Sequence, residues 1–431
     1  MNAQDTPRAM VRTYRHGLGD CHLVTLNAAD GSKYRILIDC GVIVGTRDAE
    51  QRMTDVLENV YQESGGHVDL LVATHEHWDH LSGFLQAEVA FDKLKVSKVW
   101  MSWIENPRDE QAQTFKRDQN VALQLVRTAA LQLDSKIADD GHPLASLLGF
   151  FGIAGRLTTA SALEKVRTKA DSPRYCDPKD KPALLQDFNA RIYVLGPPRD
   201  PAMLRKTLPS KRNPETYSLT ADSLDVMTSI FMGDAESPFV SSYRIPMEVA
   251  RQQAFFQHQY WNEEDWRRVD SDYLGDATEL AIALDNMTNN TSLVLAIELV
   301  DNGDVLLFAA DAQVGNWLSW SDCSWTIDGQ NVTGTDLLKR TVYYKVGHHG
   351  SLNATLKEKG LALMERLKVA VVPVDHAMAV KKNWGKLPLP TLVAALEAAT
   401  RASGSVLRTD MEPAQNKNGI VSDPLYFDVP I

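Results

Sequence analysis

Residues 68–85, VDLLVATHEHWDHLSGFL, constrain this chain more than any other stretch. Val68 to Ala73 is an apolar run of strand length, and it ends in four metal-ligating side chains within six residues: His75, His77, Asp79 and His80. In extended chain, alternate side chains point to the same side, so His75 and His77 can share one cation. Asp79 and His80 fall where the chain turns into a helix starting near Leu81, and can face a second cation. A lone histidine beside an apolar strand is ordinarily a packed or surface residue. Three histidines and an aspartate directly after a buried strand are not accounted for that way. The helical zinc motif His-Glu-x-x-His does not fit, because the position four after His75 is Asp79.

The rest of the chain is large enough to build a frame around such a site. It has 431 residues, 44% of them apolar, which allows one large domain with insertions or two domains. The net charge of −11 and the lack of a basic block argue against a broad cationic face for long nucleic acid. A small or short anionic substrate held through metal ions stays compatible with that charge. The N-terminal residues lack an apolar signal core, and no apolar run approaches the length of a membrane span. The expectation is a soluble cytoplasmic protein without membrane association. Cys21, Cys40, Cys176 and Cys323 are scattered, with no Cys-x-x-Cys pair, and read as small buried hydrophobes in a reducing compartment. Nothing in the sequence fixes the oligomeric state.

Short β-rich runs open the chain at Ala9 to Tyr14, Cys21 to Asn27 and Tyr34 to Asp39, with a turn at Asp30-Gly31-Ser32. Asp48 to Gln62 has helical spacing, with Met53, Val56, Leu57 and Val60 on one face. Lys95 to Trp103 reads as a strand whose final tryptophan either packs or lines a pocket. From 105 to 187 the pattern turns helical and charged, with helices expected at Gln111 to Leu133, Leu144 to Leu157 and Ala160 to Lys169. Arg191 to Leu195 returns to strand. A second variable region, 201–285, holds a plausible helix at Pro246 to Tyr260 and the segment WNEEDWRRVD, read as a solvated helix face, with a lid or an oligomer contact as the alternative. Regular strands resume at Leu293 to Leu299 and Val305 to Ala309, joined by Asp301-Asn302-Gly303-Asp304, then at Thr341 to Val346 and Val369 to Val374. The reading is a single domain over 1–431 with insertions at about 105–187 and 201–285.

The spacing His-x-His-x-Asp-His resembles the signature of the metallo-β-lactamase-fold hydrolases. The phrases Gly17-Leu18-Gly19-Asp20-Cys21, Ile36-Leu37-Ile38-Asp39-Cys40-Gly41 and Gly347-His348-His349-Gly350-Ser351 resemble one branch of that superfamily. The branch includes the hydrolase domain of ComEC-type DNA-uptake proteins and the teichoic-acid phosphorylcholine esterases. The resemblance implies an α/β fold, a four-layer αββα sandwich with helical insertions, and two divalent metal ions, Zn or Mn.

It also implies roles for individual residues. His75, His77, Asp79, His80, Asp311 and His348 become the metal ligands. Asp311, after Ala310 where the branch carries Gly, matches the bridging carboxylate, with Gly233-Asp234-Ala235 as the rival position. Asp79 would orient a metal-bridging hydroxide, the nucleophile, and His349 would sit beside the leaving group or the substrate phosphate, the resemblance leaving open which of His348 and His349 is the ligand. Asp20 and Asp39 would lie near the metals and orient imidazoles, or else be plain strand-end carboxylates. His376 falls where such hydrolases contact substrate, or in a surface loop. The third histidine of the first metal has no clear match; His142 and His258 are the candidates, and an oxygen ligand is the alternative, which would tolerate Mn²⁺ as well as Zn²⁺. The implied activity is that of a phosphodiesterase or nuclease acting on a nucleic-acid, nucleotide or other phosphoester. A lactone, lactam or thioester hydrolase and a non-catalytic metal-binding scaffold are the competing readings.

Overall fold

The structure, a computed structural model, describes residues 6–132, 158–210, 214–216, 252–257, 280–382, 384, 387–400, 404–412 and 419–431. Two large mixed sheets dominate an α/β fold. The first has eight strands in the order β16 (Val421–Ser422), β17 (Tyr426–Pro430), β1 (Ala9–Tyr14), β2 (His22–Asn27), β3 (Lys33–Ile38), β4 (His67–Ala73), β5 (Lys95–Ser102) and β6 (Arg174–Cys176). The second has seven, in the order β15 (Ser405–Arg408), β14 (Val369–Val372), β13 (Thr341–Lys345), β10 (Asp304–Phe308), β9 (Val294–Leu299), β8 (Ala190–Gly196) and β7 (Ala183–Leu185). A separate hairpin pairs β11 (Ser324–Ile327) with β12 (Gln330–Thr333).

Alternation along β4 explains how its sheet is buried on both faces. Leu70 and Val72 join a cluster with Ile297, Leu306, Phe308 and Tyr343 of the second sheet. Leu71 and Ala73, one residue out of phase, instead pack with Met53, Val56, Leu57 and Val60 of the helix Ala49–Ser64, a cluster that Val68 joins at the start of the strand. The predicted apolar face of that helix is the one it buries. On the second sheet Leu306 and Phe308 face the first sheet, whereas Val305, Leu307 and Ala309 join Trp317, Leu337, Leu392 and Leu396 from three helices. Each sheet is therefore apolar on both faces, as parallel strands covered by helices require.

The span 105–187 is helical where expected, at Glu110–Gln132 and Thr159–Arg167, but it also supplies β6 and β7 to the sheet edges. The expected helix at Leu144 to Leu157, Gly233-Asp234-Ala235, WNEEDWRRVD, His142 and His258 lie outside the described residues, as does most of Pro246 to Tyr260. Residues 280–289, at the end of the second variable region, form a helix leading into β9. No helix among the described residues is long and apolar enough to cross a membrane.

Candidate metal centre

Four parallel strands set the site. In the first sheet β3 and β4 run parallel as neighbours, and in the second β10 and β13 do. The carboxyl ends of such strands are where α/β sheets open a crevice. Asp39 follows β3, Thr74 to His80 follow β4, Asp311 follows β10, and Lys345 closes β13 ahead of His348 and His349. The two sheets are stitched at this end by Leu293 N–H donating to the Thr74 carbonyl at 2.9 Å.

The helix after β4 begins earlier than expected. It spans Trp78–Leu81, so Asp79 and His80 lie inside its single turn rather than ahead of it. The segment 17–20 and the chain after β3 clamp this turn. Asp20 N–H donates to the Asp79 carbonyl at 3.1 Å, and Cys40 N–H donates to the His80 carbonyl at 2.8 Å. Gly41 permits the approach, since a Cβ there would meet the Asp79 carbonyl carbon at 2.5 Å and His80 N at 2.6 Å.

Asp79, His80, Asp311 and His349 bring one potential ligand atom each to within 4.8 Å of one another, and all four are buried. Their opposite ends are anchored. His349 Nδ1 donates to the Pro373 carbonyl at 2.8 Å, which leaves Nε2 pointing inward, 2.9 Å from Asp79 Oδ2 and 3.8 Å from Asp311 Oδ2. His80 Nδ1 donates to Asp39 Oδ2 at 2.8 Å, and its Nε2 lies 3.3 Å from Asp311 Oδ2. Asp39 is held in turn by Thr74, through N–H at 2.9 Å and Oγ1 at 2.6 Å. A carboxylate behind a histidine fixes which nitrogen faces a metal.

His75 and His77 lie side by side next to this group, with His75 Nε2 3.1 Å from His77 Nδ1 and the His75 and His80 rings 4.2 Å apart. The neighbouring histidines at 348 and 349 are sorted differently from the expectation. His349 joins Asp79, His80 and Asp311, whereas His348 is half-buried and uses both nitrogens elsewhere: Nδ1 pairs with Ser351 Oγ at 2.8 Å and Nε2 lies 3.3 Å from Asn289 Nδ2. Both residues adopt left-handed backbone, φ 42° and 53°, and so project in different directions. Ala310, at φ 47°, occupies a conformation that glycine takes more easily.

Three functional groups were not singled out from sequence. Lys345 is fully buried; its Nζ pairs with Asp20, donates to the Ala310 carbonyl at 2.9 Å and lies 3.4 Å from Asp311 Oδ1. A lysine ending an otherwise apolar strand is the signal that marks it. Thr74 is the second. Asp285, the third, sits in the 280–289 helix, 7% exposed, with Oδ1 3.7 Å from His77 Nε2. Its signal is a carboxylate within the helical stripe Ala281, Leu284, Asp285 and Thr288, all buried. His376 stands apart from the cluster, exposed at the start of the helix His376–Lys381 with Nδ1 on the Leu387 carbonyl. Trp103 is packing: it is buried and donates to the Pro197 carbonyl at 3.0 Å.

Asp20, Asp39, Asp79, Asp285 and Asp311 are all buried, and the buried Lys345 pairs with Asp20 and lies near Asp311, whereas burial beside Asp79 and Asp311 pushes Asp285 well above the usual carboxylate range. Burial works against ionised Asp79 and Asp311, but His80 and its neighbours hold both below the usual carboxylate range. Burial also opposes charge on His80 and His349, yet the same carboxylates push both above the ordinary imidazole value. Burial drives His75 down, and pushes His77 down to about 4, leaving both neutral and able to ligate. Asp79 Oδ1, Asp20 Oδ1 and Asp285 Oδ1 carry no hydrogen bond among the described residues. A buried polar atom without a partner costs on the order of 1–3 kcal/mol, and a cation among these atoms offsets that cost. The donor set of imidazole and carboxylate suits Zn or Mn. No family model matches the chain, and a search of curated proteins finds no match.

Proposed function

We propose that the protein is a metal-dependent hydrolase of the metallo-β-lactamase-fold type, a four-layer αββα sandwich that cleaves a phosphodiester in a nucleotide, a nucleic acid or another phosphoester. The observation that carries this reading is the convergence of Asp79, His80, Asp311 and His349 from both sheets, with the imidazole nitrogens not facing the cluster anchored by Asp39 and the Pro373 carbonyl. His75 and His77 would hold one divalent ion, Asp79, His80 and His349 a second, and Asp311 would serve both.

When bound, the two ions would lower the pKa of water from ~15.7 towards ~7 and neutralise charge developing on a phosphoryl oxygen. The chain's residues do the rest. Asp79, held through Oδ2 by His349, keeps Oδ1 available to accept a proton from the attacking water. Lys345 compensates Asp20 and Asp311, so the carboxylates stay ionised in a water-poor site. His348, half-exposed and braced by Ser351, takes the substrate-facing place expected of His349. The overall charge of −11 favours a small anionic substrate drawn in by the ions over one steered by the protein surface.

Hydrolysis of bis-p-nitrophenyl phosphate by chelator-stripped protein, refilled with Zn²⁺ or Mn²⁺, tests the proposal. Turnover should require metal and vanish in Asp79→Ala and His349→Ala. Two bound ions without turnover would move the assignment to lactones, lactams or thioesters, assayed with acyl-homoserine lactone and nitrocefin.

A further inference from the structure

The tautomers of the histidines after β4 are dictated by their partners. Thr74 Oγ1 gives its one proton to Asp39 Oδ2 at 2.6 Å, so at 3.1 Å it accepts from His75 Nδ1. With Nδ1 donating to Thr74, His75 turns Nε2 towards His77 as the acceptor. Across 3.1 Å from it lies His77 Nδ1, which must be the donor. Neutral His77 then has its lone pair on Nε2, turned towards Asp285 Oδ1 at 3.7 Å, an oxygen that carries no hydrogen bond among the described residues. The gap from His77 Nε2 to Asp285 Oδ1 is longer than a hydrogen bond, and burial beside Asp79 and Asp311 holds the Asp285 carboxyl well above the usual carboxylate range.

A cation shared by His75 Nε2 and His77 Nδ1 reverses this arrangement. It needs the Nδ1 lone pair, so the ring must carry its proton on Nε2, where it becomes a donor aimed at Asp285. We infer that Asp285 is the positioning carboxylate of the His75 and His77 cation site, supplied by the 280–289 helix; the inference rests on the metal-centre reading above. On loading, the ring proton moves from Nδ1 to Nε2, the Nε2–H bond is donated to Asp285 Oδ1, and the proton count of the ring does not change. Asn289 Nδ2, 3.4 Å from Asp285 Oδ2, steadies the carboxylate from one turn further along the helix. Asp285 therefore stands to His77 as Asp39 stands to His80, and each cation site has its own carboxylate behind a histidine. The helix that ends the second variable region thus becomes part of the machinery that loads one of the two ions.

The test uses the full chain, stripped with chelator and titrated with Mn²⁺ or Zn²⁺, with bound metal counted by inductively coupled plasma mass spectrometry and followed by Mn²⁺ electron paramagnetic resonance. Wild type should bind two equivalents. Asp285→Asn should keep one at wild-type affinity and weaken the other by about 10- to 100-fold. Asp285→Glu should recover part of that loss. In the Zn²⁺-loaded wild type, nitrogen-15 shifts should report His77 as the Nε2–H tautomer. Two wild-type-affinity equivalents in Asp285→Asn would overturn the inference and leave the dinuclear reading standing. Should that variant not fold, an Nδ1–H tautomer for His77 in the loaded wild type would overturn it equally. Fewer than two equivalents in wild type would remove the dinuclear reading and the inference with it.

Discussion

At the residue scale the candidate centre is defined by which atoms face inward. His349 has Nδ1 committed to a carbonyl and Nε2 among the carboxylates, whereas His348 has neither nitrogen there. His349→Ala should therefore lose one metal equivalent, and His348→Ala should bind both while losing turnover; equal metal loss in the two variants would contradict this assignment. His16 lies apart from the six proposed ligands and tests the electrostatics of burial by itself. It is fully buried, its Nε2–H donates to the Gly41 carbonyl at 2.8 Å, and burial pushes it down to about 4. The unfolded chain takes up a proton near pH 6.5 that the folded chain refuses until about pH 4, so stability is lost as pH falls through that window. At about 1.4 kcal/mol per pH unit the loss reaches about 3 kcal/mol. Urea denaturation of stripped His16→Asn should show a drop between pH 6.5 and pH 4 that is smaller by up to about that amount. A drop as large as in wild type would count against the account.

At the element scale the centre depends on loops pressed against the turn Trp78–Leu81. Gly41→Ala would drive a methyl into the backbone of Asp79 and His80, and backbone cannot swing aside. The variant should melt lower than wild type and bind metal more weakly, read by calorimetry and metal titration; an unchanged melting temperature would show that the turn is less constrained. The strand β13 carries the second constraint. Removing the Lys345 ammonium leaves Asp20 and Asp311 buried without their cation, which costs about 3–5 kcal/mol when one partner of a buried pair is lost. Lys345→Met should destabilise the stripped protein by that order in urea denaturation, and a change under about 1 kcal/mol would contradict the pairing.

At the scale of the whole molecule, the proposed ligands come from both sheets, so metal binding would be coupled to folding. An ion at 100 times its dissociation constant adds about 2.7 kcal/mol of stability per site, so chelation should lower the melting temperature and Zn²⁺ or Mn²⁺ should restore it. Much of this arrangement is legible in the sequence. The strand Ala9–Tyr14 and the helix Glu110–Gln132 fall within a residue of their expected limits, because strong periodicity reports local structure directly. Asp39 and Asp311 stand out because each ends an apolar strand. The choice between His348 and His349 was not legible, since it depends on two successive left-handed residues that spacing does not encode. Nor was the pairing of β1 with β17, where Val11 meets Val429 across almost the entire chain. Asp285 was hidden for a related reason: its helix closes a charged variable region, and only the fold carries it to His77.

The most direct measurement is the metal content of the refilled full chain, by inductively coupled plasma mass spectrometry, in wild type and in Asp311→Ala. Wild type should hold two ions per chain and the variant at most one, since Asp311 lies within ligand reach of His80 and His349. A folded wild-type chain that binds no metal after refilling would contradict the central claim.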